Sequence, residues 1–150
     1  LDAQNKLFRF RVPSVAHIDA STHALAAELL GPRDVAFFIS SAGQAPELVR
    51  AAAIAIDRGA SVIAVTAGQS PLARRATVCI PVEHPEESST FVAMISRILH
   101  LLAVDMVSVG LAVRRHPAGA LLPGLAGSEA SPAGNHQRLS APGVLISHVD

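Results

Sequence analysis

Residues able to do chemistry gather at two places in this 150-residue chain. The first holds Ser40, Ser41, Gly43 and Gln44, with Ala42 among them. These residues follow an unbroken apolar run, Val35, Ala36, Phe37, Phe38 and Ile39, and precede Pro46. A continuous apolar run suits a strand covered on both faces. Proline is tolerated at a first helical position, because the N–H it lacks has no partner there. Strand, small polar loop and helix start together aim unpaired backbone N–H groups at the carboxyl end of a sheet, where an anion can bind. Small residues serve any tight strand-to-helix turn equally well, so both readings stand at this point. The second place is Glu83, His84, Glu86 and Glu87, followed by Ser88, Ser89 and Thr90. A carboxylate beside a histidine can supply the base and the acid of a proton transfer. The plainer reading is a solvated acidic loop leading into hydroxyl residues that cap a helix.

Composition removes several other classes of function. Lys plus Arg and Asp plus Glu each number 12, for a formal charge of zero. Gripping a nucleic-acid backbone needs a basic surface. The single cysteine, Cys79, excludes an internal disulfide framework and a multi-cysteine metal site. It sits in an apolar run, as a buried structural thiol does. His17 has no second histidine or carboxylate at ligand spacing, and no cofactor motif is present. The absence of a signal peptide at the start, with one cysteine, fits a cytoplasmic protein.

The elements that must position the two clusters follow from apolar pattern and punctuation. Residues 2–10 suit the end of a helix, with Leu7 and Phe10 on one face. Strands are expected near 15–18, 35–39, 61–65 and 78–82, with Pro81 placing the last at an edge. Asp19, Ser21 and Thr22 offer helix caps ahead of a helix over 24–30, with Leu25, Leu29 and Leu30 inward. A helix is expected over 46–58, with Leu48, Ala52, Ala55 and Ile56 inward and Gly59 at its end. Ser70 caps a short helix with Pro71 at its first position. A long helix runs from residue 90 or 91 to about 115, apolar around most of its circumference. Ser96, Arg97, His100, Asp105 and Ser108 interrupt it, which argues for a helix buried on its own sheet and a second subunit rather than a membrane span. Strand–helix alternation with short connections implies an α/β three-layer sandwich with a mainly parallel sheet. A domain of this kind opens with a strand, whereas this chain opens on helical residues, so a first strand is expected to be missing from it. Proline and glycine punctuate residues 116–150, which read as an irregular tail. Val144, Leu145 and Ile146 are one last apolar triplet, which could dock as an edge strand or form no element at all.

Several motifs in this order resemble one family. They are Gly31-Pro32-Arg33-Asp34-Val35, Ile39-Ser40-Ser41-Ala42-Gly43, Gly59-Ala60-Ser61-Val62-Ile63-Ala64-Val65-Thr66 and Ser70-Pro71-Leu72-Ala73-Arg74-Arg75-Ala76. Together they look like a sugar isomerase (SIS) domain over residues 1–115, in particular the effector domain of RpiR-type bacterial transcriptional regulators. The resemblance implies a phosphosugar-binding domain, dimeric, joined in regulators to an N-terminal helix-turn-helix that alone contacts DNA. The family's phosphate loop reads Ser-x-Ser-Gly-x-Thr. Ser40 and Gly43 match it, Ala42 replaces the second serine and Ala45 replaces the threonine. Ser41, Gln44 and the backbone N–H groups of the loop remain as donors. Ser88, Ser89 and Thr90 match the polar segment that approaches the sugar. The family's Gly/Ser loop after its first strand is not in this chain.

The resemblance therefore implies a non-enzymatic sensor and dimerisation domain of a cytoplasmic regulator, with a sugar phosphate effector and no membrane partner. Phosphosugar isomerase is the alternative, with its base drawn from Glu83, Glu86, Glu87 or His84, although the Glu–His–Gly pattern of the isomerases is absent. A degenerate domain serving only for pairing is the third reading.

Overall fold

The computed structural model describes residues 2–83, 91–115 and 144–148, with 91–94 and 144–148 described by backbone alone. Five helices and five strands follow in the order α1 (Asp2–Arg9), β1 (Ser14–His17), α2 (Ala20–Glu28), β2 (Val35–Ile39), α3 (Pro46–Asp57), β3 (Ser61–Thr66), α4 (Pro71–Arg75), β4 (Val78–Pro81), α5 (Phe91–Arg115) and β5 (Val144–His148). The strands form one sheet in the order β1-β5-β2-β3-β4, and every pairing is parallel.

Side-chain alternation along the strands divides the core in two. Ala36 and Phe38 of β2, with Val62 and Ala64 of β3, face α2, α3 and α4 through Ala26, Ala27, Leu48, Ala51, Ala52, Ala55 and Leu72. Phe37 and Ile39, with Val65, face α1 and α5 through Ala3, Ala103 and Val104. Both faces of the sheet are covered, which explains why β2 and β3 read as unbroken apolar runs. The result is the three-layer α/β sandwich with a parallel sheet expected from the sequence.

Local signals set most boundaries. The Asp19 carboxylate caps α2 by accepting from the Ser21 N–H at 2.9 Å, and these bonds lower the Asp19 pKa. Beyond α3, the Gly59 N–H donates to the Ile56 carbonyl and the Ala60 N–H to the Ala55 carbonyl, at 2.8 and 2.9 Å. That is the Schellman closure, and Gly59 adopts the φ of +83° it requires. Ser70 caps α4 by accepting from the Ala73 N–H at 3.1 Å. Pro81 lies in β4, which among the described residues pairs only with β3 and so forms an edge.

Three expectations are corrected. Leu25 and Leu29 are exposed, at 65% and 87%, while His23, Ala26 and Ala27 are buried. Helix α2 meets the Ala51, Ala52 and Ala55 stripe of α3, and small side chains let two helices approach closely where leucines would hold them apart. Ile56 is likewise exposed, with Ala51 taking the inward place. The third correction concerns the apolar triplet near the end of the chain. It is an interior strand: β5 lies between β1 and β2, with Ser14 and Val35 both opposite Val144. The β1–α2–β2 crossover leaves one strand position between its two strands, and β5 fills it. Residues 116–143 and 149–150, the remainder of the expected irregular tail, lie outside the described residues.

His23 gives a pH-dependent stability. It is fully buried, and burial lowers its pKa, opposed by the His17 carbonyl 3.4 Å from Nε2 and by Glu47 and Asp19. A histidine whose folded pKa lies below the unfolded value of 6.5 binds fewer protons folded than unfolded. Its contribution is therefore intact above pH 6.5 and is lost as the pH falls through that value toward the folded pKa. Urea midpoints should fall between pH 7 and pH 5, and His23→Gln should flatten that slope. An unchanged slope would show that other groups set the acid limit.

Candidate functional site

The loop after β2 is built around Gly43. Its φ is +60°, a conformation that costs other L-residues energy. Its N–H donates to Ser40 Oγ at 3.1 Å, its carbonyl accepts from the Leu72 N–H at 3.1 Å, and the Ser40 N–H donates to the Val65 carbonyl at 3.1 Å. Ser40 is buried, so its hydroxyl braces the loop from within. Ser41 is half-buried, and Ala42 and Gln44 are exposed. Among the described residues, nothing accepts from the N–H groups of Ser41, Ala42 and Gln44.

Helix α3 begins directly after this loop. Its N-cap is Ala45, which offers no side-chain hydrogen bond, and Pro46 stands at the first helical position. Free N–H groups and the positive end of the helix dipole therefore meet at one place.

These groups open onto a cleft of about 550 Å³ lined by Ser41, Ala42, Gln44, Ala67, Gln69, Val82 and Glu83. It lies at the carboxyl ends of β2, β3 and β4. Its size suits a small ligand. Of the residues expected at a site, Ser41 and Gln44 line the cleft, while Ser40 and Gly43 lie beneath the loop and shape it. Ser88, Ser89 and Thr90 lie outside the described residues, as do His84, Glu86 and Glu87. Glu83 is the only charged residue lining the cleft among the described residues.

Ala67, Gln69 and Val82 were not singled out by the sequence reading. The signal for Gln69 was available: residues 66–69 follow a buried strand, and ligands in open parallel sheets sit beyond strand carboxyl ends. Nothing in a β4 edge strand marks Val82. Among the described residues no group of His, Cys, Asp and Glu is arranged to hold a metal ion.

The parallel sheet between two helical layers, with unpaired loop amides at the start of α3, defines an α/β domain of the three-layer class. The chain belongs to the SIS-domain family, whose model matches residues 1–109. It is 46% identical over 122 residues to the Bifunctional protein glk of Burkholderia orbicola, covering 81% of this chain and 19% of that protein. It is 38% identical over 115 residues to the HTH-type transcriptional regulator HexR of Pseudomonas aeruginosa, covering 77% of this chain and 40% of HexR. The chain thus spans well under half the length of these curated relatives. Among solved structures it resembles the Vibrio vulnificus NanR protein complexed with ManNAc-6P, at TM-score 0.68 and 28% identity, covering 77% of this chain and 44% of that one. The fold also matches the sugar isomerase domain of an RpiR transcription factor from Sphaerobacter thermophilus, at TM-score 0.57 and 22% identity, over 75% of this chain and 62% of that one.

Proposed function

We propose that this domain is the sugar-phosphate-sensing and pairing part of a cytoplasmic RpiR-type transcriptional regulator, and that it is not an enzyme. The observation that carries the reading is the set of unpaired Ser41, Ala42 and Gln44 N–H groups at the start of α3, opening onto the cleft. A phosphate held by amides and a helix dipole needs no cationic side chain. Ser41, Gln44 and the loop shaped by Ser40 and Gly43 hold the phosphate, and Ser88, Ser89 and Thr90 approach the sugar. The likeness to HexR and to NanR with its ManNAc-6P supports a sensor. The domain comprises residues 1–115, with β5 completing its sheet, and DNA is contacted by a helix-turn-helix outside this chain.

The missing hydroxyls at Ala42 and Ala45 set the affinity. Each lost hydrogen bond to a charged group removes about 1.5–3 kcal/mol. Two such losses weaken binding by roughly two to four powers of ten, at ~1.4 kcal/mol per tenfold. Calorimetry with a panel of sugar phosphates that includes ManNAc-6P should find weak binding, tightened by about tenfold or more on Ala42→Ser and Ala45→Thr. Unchanged affinity in both variants and in Ser40→Ala would remove the loop from the site.

Pairing uses α5. Its sheet side buries Ser96, His100, Ala103, Val104 and Ser108. Its outer side exposes Ile98, Leu102, Met106, Val109 and Val113, spaced to form one stripe along the helix. Residues Ile95–Arg115 are long and apolar enough to cross a membrane. Asp105 on this helix pairs with Lys6 of α1, which Asp2 also holds at 2.6 Å; both carboxylates raise the Lys6 pKa. The Arg115 side chain donates to the Phe10 carbonyl. A helix fastened to its own domain at both places leaves a second copy of the chain as the cover for its apolar stripe.

One observation favours an isomerase as the second reading: Glu83 lines the cleft. A C2 proton of a bound aldose phosphate exchanging with deuterated solvent, and failing to do so in Glu83→Gln, would establish it.

A further inference from the structure

Beneath the loop, two hydroxyl residues of the β3–α4 connection meet the α-carbon of Gly43. Thr66 is fully buried and Ser70 is 5% exposed. Their hydroxyl oxygens lie 3.5 Å apart. A Cβ placed on Gly43 would fall 2.3 Å from Thr66 Oγ1 and 2.4 Å from Ser70 Oγ. The two hydroxyls therefore occupy the space directly under Gly43.

We propose that Thr66 and Ser70 are positioning residues for the ligand loop, acting through Gly43 to fix the direction of its outward amides. The proposal rests on the reading of that loop as the anion site.

The geometry works through the planarity of the peptide bond. The Gly43 carbonyl accepts from the Leu72 N–H at 3.1 Å. In a planar trans peptide the Gln44 N–H points opposite to the Gly43 carbonyl. Tying that carbonyl to α4 therefore turns the Gln44 N–H away from α4. Ser70 organises the α4 end of this tie: its Oγ accepts from the Ala73 N–H at 3.1 Å and so caps the turn that presents Leu72. Thr66 supports Gly43 from the end of β3, where its carbonyl accepts from the Val82 N–H at 2.9 Å. Val82 lines the cleft. One connection thus bears on the floor of the loop and on the far wall of the cleft together. Neither hydroxyl lines the cleft, so neither is assigned a contact with ligand.

The test uses Thr66→Val, which keeps the shape and removes the hydroxyl, and Thr66→Ser, which keeps the hydroxyl. Ser70→Ala serves as the second site, since it removes the hydroxyl beneath Gly43 and the cap on α4 together. Backbone amide resonances and hydrogen exchange are read without ligand, then affinity for glucose 6-phosphate and inorganic phosphate. Thr66→Val and Ser70→Ala should shift the Gly43 and Gln44 amides, speed exchange at Gly43 and lower affinity about tenfold. Thr66→Ser should restore both readouts. Unmoved Gly43 and Gln44 resonances in both folded variants would overturn the proposal, as would a Thr66→Ser protein no better than Thr66→Val. Shifted resonances in the variants, together with a wild-type protein that binds neither probe, would support the positioning and defeat the ligand reading instead.

Discussion

Gly43→Ala should destabilise the domain by about 2–4 kcal/mol, the combined cost of a left-handed backbone for alanine and an overpacked interior. The added methyl meets Thr66 Oγ1, Ser70 Oγ and Ser70 Cβ at 2.3, 2.4 and 2.7 Å. None of these is the end of a long side chain that can swing away, and both residues are buried. Relief must come from moving the loop, which breaks the Ser40 and Leu72 bonds at Gly43. A loss of this size is a large part of the 5–15 kcal/mol that holds a typical domain together. Urea unfolding of the variant beside wild type measures it. A loss below about 1 kcal/mol would mean that the loop relaxes without strain. By contrast, a Cβ on Gly110 meets nothing within 4 Å, so Gly110→Ala in the middle of α5 should stabilise by roughly 0.5–1 kcal/mol.

The second large effect is on association. Met106 and Leu102 are 67% and 53% exposed on the α5 stripe. Burying side chains of this kind contributes about 1.5–3 kcal/mol each. Replacing both with aspartate should therefore weaken the dimer by roughly two to four powers of ten, at ~1.4 kcal/mol per tenfold. Sedimentation at several concentrations should show a wild-type dimer and a folded Leu102→Asp/Met106→Asp monomer. Val104 on the same helix is buried against the sheet at 5% exposure; aspartate there should unfold the domain rather than separate its copies. A monomeric wild type at high concentration would contradict the pairing surface.

Much of this fold was legible because its strands are buried on both faces. Val35–Ile39 and Ser61–Thr66 announce themselves as continuous apolar runs, and the glycine, proline and serine signals around α3 and α4 fix where those helices start and stop. The misplaced helix faces arise where α2 meets the alanine stripe of α3, and α2 shows it most clearly. Its inward face is alanine and histidine while its leucines point outward, so the hydrophobic pattern identifies the wrong side. Position in the sheet is a different kind of information. Three apolar residues near 144 suggest a strand, but only pairing shows that it lies between β1 and β2.

The candidate site was legible in place more than in detail. Strand, small loop and Pro46 located the Ser40, Ser41, Gly43 and Gln44 cluster. Residue type alone could not show that the Ser40 hydroxyl is turned inward to Gly43, nor that Thr66 and Ser70 stand beneath it. The Ser40 bond is local but depends on the φ of +60° at Gly43, and the approach of Thr66 and Ser70 joins segments more than twenty residues apart, which no local pattern encodes.

The central claim is that the Ser41, Ala42 and Gln44 amides receive the phosphate of a sugar phosphate. Titrating the isotope-labelled domain with ManNAc-6P and glucose 6-phosphate, and following every backbone amide, tests it most directly. The largest shifts should fall on Ser41, Ala42 and Gln44, with smaller ones at Gln69 and Glu83 across the cleft, and inorganic phosphate should reproduce the first group alone. Saturable shifts centred elsewhere, or none at millimolar ligand, would contradict the account.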